Sequence, residues 1–273
     1  MKVRRSLNSM IRKGQVSLKM SSFLSTIREL FPSDVLDAYS DDWGVTYDAG
    51  KEFRRIGYAT NLCPEVIRNA AASNVDLLLT HHDAWEDILF DMKEACLDLL
   101  KENGMSHFFV HGPLDFSWFG TAPSLIERLG AEVASHSSWK EQETPATAVF
   151  EGGISLQSLS DRMASVLGEP VRVWKNNSRK IHKAGVLTGA GNLTDHLKFA
   201  ADEGCDAYIT GEATLYSVQY AAFLGLNMVV GSHTFTEMFG VETFAKKVAW
   251  VHPEVDVVRI EERHLEADGI TIR

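Results

Sequence analysis

The chain has 273 residues, of which 45% are hydrophobic and 23% are charged, a composition typical of globular proteins with one large or two smaller domains. Its formal net charge of −10 disfavours contact with a phosphate backbone, so nucleic acid is not an expected partner. Three widely separated cysteines argue against a disulfide framework and favour a reducing, cytoplasmic location, and no apolar run has the ~20 residues of a membrane span.

Residues 1–19 are basic and contain no acidic side chain. An organellar transit peptide has a similar composition, but we favour a simple extension that precedes the folded domain. After it we expect a first α/β lobe over residues 20–135 and a connecting segment over 136–182. A second α/β lobe over 183–250 and a C-terminal strand and tail over 251–273 would complete the chain.

Apolar, β-rich runs alternate with helical patterns along the chain. Ser155 can cap a helix that stops at Gly168, Pro64 suits a first helical turn, and Asp195 begins a helix that stops at Gly204. This alternation predicts βαβ units and mainly parallel sheets. The predicted strands are Arg55–Thr60, Val75–Thr80, His107–His111, Ala146–Phe150, Ala184–Thr188, Asp206–Thr210, Asn227–Gly231 and Val255–Ile260.

A short pattern occurs twice, which indicates that the two lobes are related. In each half, a Gly-x-x-Thr strand leads into a helix and then into an Asp-x-x-x-Thr strand, and a second helix precedes a third apolar strand. We therefore predict two α/β lobes, each a βαβαβ unit, although chance similarity between two generic units is the alternative. The repeated segments are 57–60 and 76–80 in the first half, and 185–188 and 206–210 in the second.

Five metal-type side chains directly follow these predicted strands. His81 and His82 follow the second strand of the first half, and Asp115 follows the third. His233 and Glu237 follow the third strand of the second half. Because open parallel sheets bind ligands beyond the carboxyl ends of their strands, a cleft between the lobes would collect all five. Imidazole and carboxylate ligands suit zinc, iron or manganese.

Each of these motifs also has a simpler interpretation. The adjacent His81 and His82 could be solvated loop residues, and Asp115 could cap a helix or turn. His233 and Glu237 are spaced i, i+4, so they share one face if a helix starts there, whether that face meets the cleft or solvent.

Two further residues are candidates for proton transfer. His111 ends a strand and could act on substrate, bind metal, or orient a ligand from outside it. Glu212 follows the second-half strand where the first half has the histidine pair, and it could be a general base or a supporting carboxylate. The alternative for Glu212 is an acidic residue in a first helical turn.

Several of these motifs, in this order and spacing, resemble the NIF-three-like family, whose members are called type 2 GTP cyclohydrolase homologues. The resemblance implies two related α/β lobes with a dinuclear metal site between them, and a homo-oligomer in the form of a hexameric ring. The motifs are His81-His82, His111-x-x-x-Asp115, Thr210-Gly-Glu212, Gly231-x-His233-x-x-x-Glu237 and, near the N-terminus, Asp41-Asp-Trp-Gly44.

The resemblance also implies how the ligands divide between two divalent ions. His82 and Asp115 would bind one ion, His81 and His233 the other, and Glu237 would bridge them. The family's metals include zinc, iron and manganese. This chain departs from the family pattern at Asp83, where a proline is usual, and at several cleft positions, so the substrate stays open.

Together these features predict a metal-dependent hydrolase of the GTP cyclohydrolase type 2 homologue kind, acting on a small molecule such as a nucleotide or phosphoester. The alternative is a non-catalytic metal-binding regulator or adaptor, since the same ligands could serve sensing or folding. The sequence lacks a GxxxxGK[ST] loop and does not support a P-loop NTPase.

Overall fold

The computed structural model describes residues 17–140 and 143–267. Most of the predicted basic extension, residues 1–16, lies outside the described residues, as do the last residues of the tail. Leu18 nevertheless belongs to the folded part, because its side chain is buried and its N–H donates to the carbonyl of Phe53 at 2.9 Å. Packing therefore starts before the boundary predicted at Met20.

Helices and strands alternate through most of the described chain. In chain order they are α1 (Met20–Leu30), α2 (Ser33–Ala38), β1 (Trp43–Tyr47), β2 (Arg55–Tyr58), α3 (Pro64–Ala72), β3 (Leu77–Thr80), α4 (Glu86–Leu89), α5 (Met92–Asn103), β4 (Ser106–Val110), α6 (Gly112–Asp115), α7 (Thr121–Arg128), β5 (Glu132–Ser135), β6 (Ala146–Ile154), α8 (Leu156–Leu167), β7 (Arg172–Trp174), β8 (Ile181–Leu187), α9 (Thr194–Asp202), β9 (Ala207–Thr210), α10 (Leu215–Leu224), β10 (Asn227–Val230), α11 (His233–Val251) and β11 (Asp256–Arg259).

The strands form two sheets, which confirms the predicted two-sheet α/β fold. The first has the order β1-β4-β3-β2-β11, and the second has the order β5-β6-β8-β9-β10-β7. Parallel pairing joins β4, β3, β2 and β11 in the first sheet and β8, β9 and β10 in the second. The remaining strands are antiparallel to their neighbours.

The repeat is one strand longer than the sequence pattern predicts. In the first sheet, β1 lies antiparallel beside β4 and precedes β2 in the chain. In the second sheet, β7 lies antiparallel beside β10 and precedes β8. The repeated aspartates also have one role: Asp76 accepts the N–H of Arg55 at 2.9 Å, and Asp206 accepts that of His182 at 3.0 Å. Each aspartate thus fixes the start of the neighbouring parallel strand.

All eight predicted strands are present, whereas β1, β5 and β7 were not predicted. These three lie at sheet edges and are mostly half-buried or exposed, so they lack the apolar runs by which the other strands were recognised. Among the helix signals, Ser155 caps α8 by accepting the N–H of Ser158, and the helix ends at Gly168 with φ +72°. The helix predicted to begin at Asp195 begins one residue earlier, at Thr194.

Sheet membership cuts across the predicted domain ranges. Strand β5, from the predicted first lobe, pairs with β6 in the second sheet, and β6 and β7 come from the predicted connecting segment. Strand β11, from the C-terminal segment, pairs with β2 in the first sheet. The chain therefore passes from the first sheet to the second and returns to close the first.

One apolar core lies between the sheets. Because strand side chains alternate between faces, Leu77 and Leu79 of the first sheet enter this core together with Val186 and Ile209 of the second. Leu78 points to the opposite face, which α3 and α5 cover, and α9 and α10 cover the outer face of the second sheet. Helices α1, α7, α8 and α11 contribute to the central core.

Within the described ranges, no helix is both long enough and apolar enough to cross a membrane. This holds for α11, the 19-residue helix that follows β10.

Candidate metal centre

The candidate ligands lie where strands of both sheets end. His81 and His82 follow β3, Asp115 is the last residue of α6 after β4, and α11 begins at His233. Ser232 caps α11, since its hydroxyl accepts the N–H of Phe235 at 3.2 Å. The predicted helix start is therefore present, and His233 and Glu237 lie one turn apart on one face.

Glu237 lies at the centre of the cluster. Its Oε1 atom lies 3.7 Å from Nε2 of His81 and 3.4 Å from Nε2 of His233, and its Oε2 atom lies 3.2 Å from Nε2 of His82. Asp115 Oδ1 lies 3.4 Å from Nε2 of His81. Among the described residues, three groups could hold a metal ion. Glu237 belongs to two of them, His81–Asp115–Glu237 and His82–His233–Glu237, and the third is His81–His82–His111.

This grouping is the reverse of the one that the family resemblance implied. His81 directs Nδ1 to the carbonyl of Val110, at the end of β4, so its ring lies near Asp115. His82 directs Nδ1 to Asn61 after β2, and its ring centroid lies 5.1 Å from that of His233. Among the described residues, no group that could hold one ion joins His82 with Asp115, and the division of the ligands between two ions stays a prediction.

Four imidazoles are held in the same tautomer. Each Nδ1 faces an oxygen that can only accept, so Nδ1–H donates and Nε2 keeps a lone pair for the cluster. His111 joins the set, with its Nε2 atom 3.9 Å from Oδ2 of Asp115. The acceptors are Val110 O for His81 (2.9 Å), Asn61 Oδ1 for His82 (2.8 Å), Asp42 Oδ2 for His111 (2.8 Å) and Glu212 Oε1 for His233 (2.7 Å).

The buried atoms at the centre fit a cation. His81 is fully buried and Glu237 is 4% exposed. Among the described residues, Nε2 of His81 and Oε2 of Glu237 have no hydrogen-bond partner. Buried acceptors that face one another are costly to leave unpaired, and a divalent ion satisfies them together. The donor set of imidazole and carboxylate is the one that zinc, iron and manganese accept.

Protons compete for the same positions. Burial disfavours a charged imidazole, but Asp115 and Glu237 outweigh it and raise the pKa of His81 well above its ordinary value. Burial likewise opposes the charge on His233, yet Glu237 and Glu212 raise its pKa to about 9. Burial and the neighbouring imidazoles lower the pKa of His82 well below its usual range. Metal binding must therefore release protons, and its affinity should fall in acid.

Two glycines of the second lobe make room for the cluster, and one of them, Gly189, lies outside the motifs identified in the sequence. Gly189 has φ +61°, and a Cβ atom there would lie 1.9 Å from Oε1 of Glu237. At Gly211, the middle residue of the Thr210-Gly-Glu212 motif, a Cβ atom would lie 2.7 Å from Cα of His233. Gly189 follows the repeated strand of the second half, as Asn61 follows that of the first half. This equivalent position is the sequence signal by which Gly189 could have been found.

A second missed feature is the support of His82. Asn61 Nδ2 donates to Oε1 of Glu262 at 3.0 Å, which leaves Oδ1 of Asn61 to accept from His82. Glu262 also accepts the backbone N–H groups of Thr60 at 2.6 Å and Asn61 at 3.0 Å. The carboxylate of a residue after the last strand thus fixes a ligand more than 170 residues earlier, a contact without a local sequence signal.

The two predicted catalytic residues have different surroundings. His111 is one-third exposed and pairs with Asp42, a member of the Asp41-Asp-Trp-Gly44 motif, whose pKa is lowered because His111 and the N–H of Gly112 outweigh its burial. Glu212 accepts from His233 and, through Oε2, from Asn192 Nδ2 at 2.7 Å. Glu212 lies before α10 and its Thr214 cap, so the first-turn interpretation was wrong.

The site opens onto a cavity of about 650 Å³. His82, His111, His233 and Glu212 line part of it. The ring of Trp85 forms a wall, with its centroid 5.1 Å from that of His111 and 5.5 Å from that of His82.

Two α/β sheets with a shared histidine–carboxylate cluster at their strand ends define a class of protein with a candidate metal centre between lobes. The profile of the Duf34/NIF3 (NGG1p interacting factor 3) family matches residues 18–264, and the chain belongs to this family.

Relatives have similar sequences along most of the chain, and solved structures share its fold. The chain is 24% identical over 229 residues to the GTP cyclohydrolase 1 type 2 homolog of Haemophilus influenzae, covering 82% of this chain and 90% of the relative. It is 26% identical over 232 residues to a protein of the same name from Methanocaldococcus jannaschii, covering 83% and 93%. Reduced HcgD from Methanocaldococcus jannaschii shares the fold, with a TM-score of 0.75, 24% identity and coverage of 90% and 99%. A Bacillus cereus protein related to NIF3 shares it too, with a TM-score of 0.75, 14% identity and coverage of 94% and 99%.

Proposed function

We propose that this protein is a metal-dependent hydrolase that binds two divalent ions, of zinc, iron or manganese, on either side of Glu237. The observation that carries the proposal is the convergence of three imidazole Nε2 atoms on the two oxygens of Glu237, with the carboxylate of Asp115 beside His81. A carboxylate with imidazoles near both of its oxygens is able to bridge two ions.

Ions bound in such a set supply Lewis acidity, which lowers the pKa of water towards neutrality. The protein's own groups orient the ligands. Glu212 accepts the Nδ1 proton of His233 and is itself held by Asn192, so both of its oxygens are in use. We therefore assign Glu212 to positioning His233 and not to moving protons.

His111 is better placed for proton transfer. Its side chain is one-third exposed and lines the cavity, and its Nδ1 atom is held by Asp42 at 2.8 Å. An imidazole oriented by a carboxylate can receive a proton at Nε2 and return it to a leaving group. We propose that His111 does this for a small-molecule substrate in the cavity.

The names of the relatives make guanine nucleotides the first substrates to test, with phosphoesters second. The predicted hexameric ring would be read from the molar mass in solution. A non-catalytic regulator or adaptor is the competing function.

The direct test loads metal-stripped protein with Mn²⁺, Zn²⁺ or Fe²⁺ and follows consumption of GTP and of a panel of phosphoesters. We expect metal-dependent turnover that Glu237→Ala removes. The matched control is Glu242→Ala, a carboxylate on the same helix that pairs with Arg128 and Lys246 instead of the cluster. Metal binding without turnover on any substrate would favour the regulator or adaptor.

A further inference from the structure

The cavity beside the metal centre has a wide apolar wall. Most of this wall comes from α3, from α4 and from the segments next to them. Ile88 and Leu89 are 61% and 36% exposed. Adjacent exposed apolar side chains beside a cavity are typical of a surface that binds an apolar group. The residues of this wall include Leu62, Val66, Trp85, Ile88, Leu89 and Met92.

The same cavity offers little to a chain of phosphates. Among the described residues that line it, Arg263 is the only lysine or arginine, and its Nη1 atom already lies 3.7 Å from Oε2 of Glu65. Four other lining residues are acidic, namely Asp83, Glu212, Glu262 and Glu266. A polyphosphate would meet mostly like charge outside the ions themselves.

The helix start that lies at the candidate ligands, that of α11, is also taken. The first N–H groups of α11 would otherwise attract a phosphate. Glu266 occupies them instead, since its Oε1 accepts the N–H of His233 at 2.8 Å and its Oε2 that of Thr234 at 3.1 Å. The protein's own carboxylate fills the position that a nucleotide phosphate would use.

We infer that the site takes small molecules with a flat, apolar or aromatic body and no polyphosphate chain. The body packs on Trp85 and the aliphatic wall, and a polar group at its end reaches the ions. This inference rests on the proposed function for the presence of the ions, but not for the reaction. If the inference is correct, the substrate differs from guanosine triphosphate, the substrate that the names of the relatives suggest.

The test compares two probes with one metal-binding head. Benzohydroxamate carries a phenyl ring where acetohydroxamate carries a methyl group, and the two are otherwise the same. The ratio of their affinities for Zn²⁺-loaded protein, measured by calorimetry, therefore measures how strongly the apolar wall binds the ring. We expect benzohydroxamate to bind at least about tenfold more tightly. The variant Ile88→Ser, combined with Met92→Ser, should remove most of that ratio, whereas Phe223→Ser, an exposed residue of α10 outside the cavity, should preserve it.

A second comparison addresses the phosphates. GTP should bind no more tightly than guanosine, and a tenfold advantage for GTP would overturn the inference. Equal affinity for the two hydroxamates would overturn it as well. If the double variant instead changes the molar mass in solution while the ratio persists, the wall is a contact with a second copy of the chain and the inference fails.

These outcomes are independent of turnover. A tenfold preference for benzohydroxamate without hydrolysis of any substrate would contradict the proposed reaction and support the inferred ligand class. Turnover of GTP with equal hydroxamate affinities would support the proposed reaction and contradict the inferred ligand class.

Discussion

The two lobes use one strand arrangement for different purposes. In the first lobe, the strand ends carry side chains that bind or support: Asn61 after β2 and the His81–His82 pair after β3. In the second lobe, the corresponding positions carry Gly189 after β8 and Gly211 after β9. At the ends of these strands the first lobe supplies donors. The second lobe supplies space there, together with Glu212 as a support for His233, and its own donors, His233 and Glu237, come from α11.

This difference explains how a repeated scaffold produces one site instead of two. Two lobes with donors at every strand end would collide, because a single Cβ atom at Gly189 already reaches Oε1 of Glu237. Glycine at those ends lets the backbone of the second lobe approach the donors of the first. Three kinds of variant test this difference between the lobes. They remove the shared donor Glu237, fill the space at Gly189, or remove the support that Glu262 gives.

The largest effect should follow loss of the shared donor. Glu237→Gln removes the negative charge that faces His81, His82 and His233. Loss of an outer supporting residue typically costs 10–100-fold in metal affinity, so loss of this direct ligand should cost more than ~100-fold. Competition with a fluorescent chelator measures this. Glu242→Gln on the same helix should have no effect, and equal effects of the two variants would exclude Glu237 as a ligand.

Filling the space in the second lobe should come next. Gly189→Ala combines a positive φ of +61° with a clash against Glu237, so we expect a loss of roughly 3 kcal/mol in unfolding free energy together with weakened metal binding. The matched control is Gly204→Ala, where φ is +72° but no atom lies within 4 Å of the added Cβ. It should cost about 1 kcal/mol and leave metal affinity unchanged. Urea unfolding of the metal-free proteins separates the two.

Loosening the support in the first lobe should have a smaller effect. Glu262→Ala frees the amide of Asn61, which then no longer fixes the ring of His82. We expect metal affinity to fall about tenfold, at the lower end of the range for outer supports. The exposed neighbour variant Glu261→Ala is the control. An unchanged affinity in Glu262→Ala would show that His82 is oriented without the tail.

A last prediction concerns acid stability. Thr80 contacts Nε2 of His107 at 2.8 Å, and burial lowers the pKa of this imidazole to about 4, whereas Met228 lies at the corresponding register of the second sheet. The unfolded chain takes up this proton near pH 6.5 and the folded chain does not, so stability should fall as the pH drops from 6.5 towards 4.

Urea unfolding of the metal-free protein should show this decrease in unfolding free energy. Between pH 6.5 and 5, the decrease should be smaller in His107→Gln than in the unchanged protein, by about 2 kcal/mol. A pH dependence identical in both proteins would contradict the burial of a neutral His107.

How much of this was readable from the sequence depends on how local each signal is. The parallel strands were predicted because continuous apolar runs record burial on both faces, as at Leu77–Thr80. The five candidate ligands were singled out because they follow those runs, and the structure brings them together. The edge strands, the role of Glu262 and the pairing of His81 with Asp115 were not predictable, since they depend on exposed segments, on a distant contact and on the direction in which a side chain turns.

The central claim is that Glu237 is shared by two ions. Anomalous diffraction from crystals of the Zn²⁺-loaded protein, recorded on both sides of the zinc edge, tests it most directly. We expect two peaks, one beside His81 and Asp115 and the other beside His82 and His233, with Glu237 contacting both. A single peak, or two peaks with Glu237 bound to neither, would contradict it.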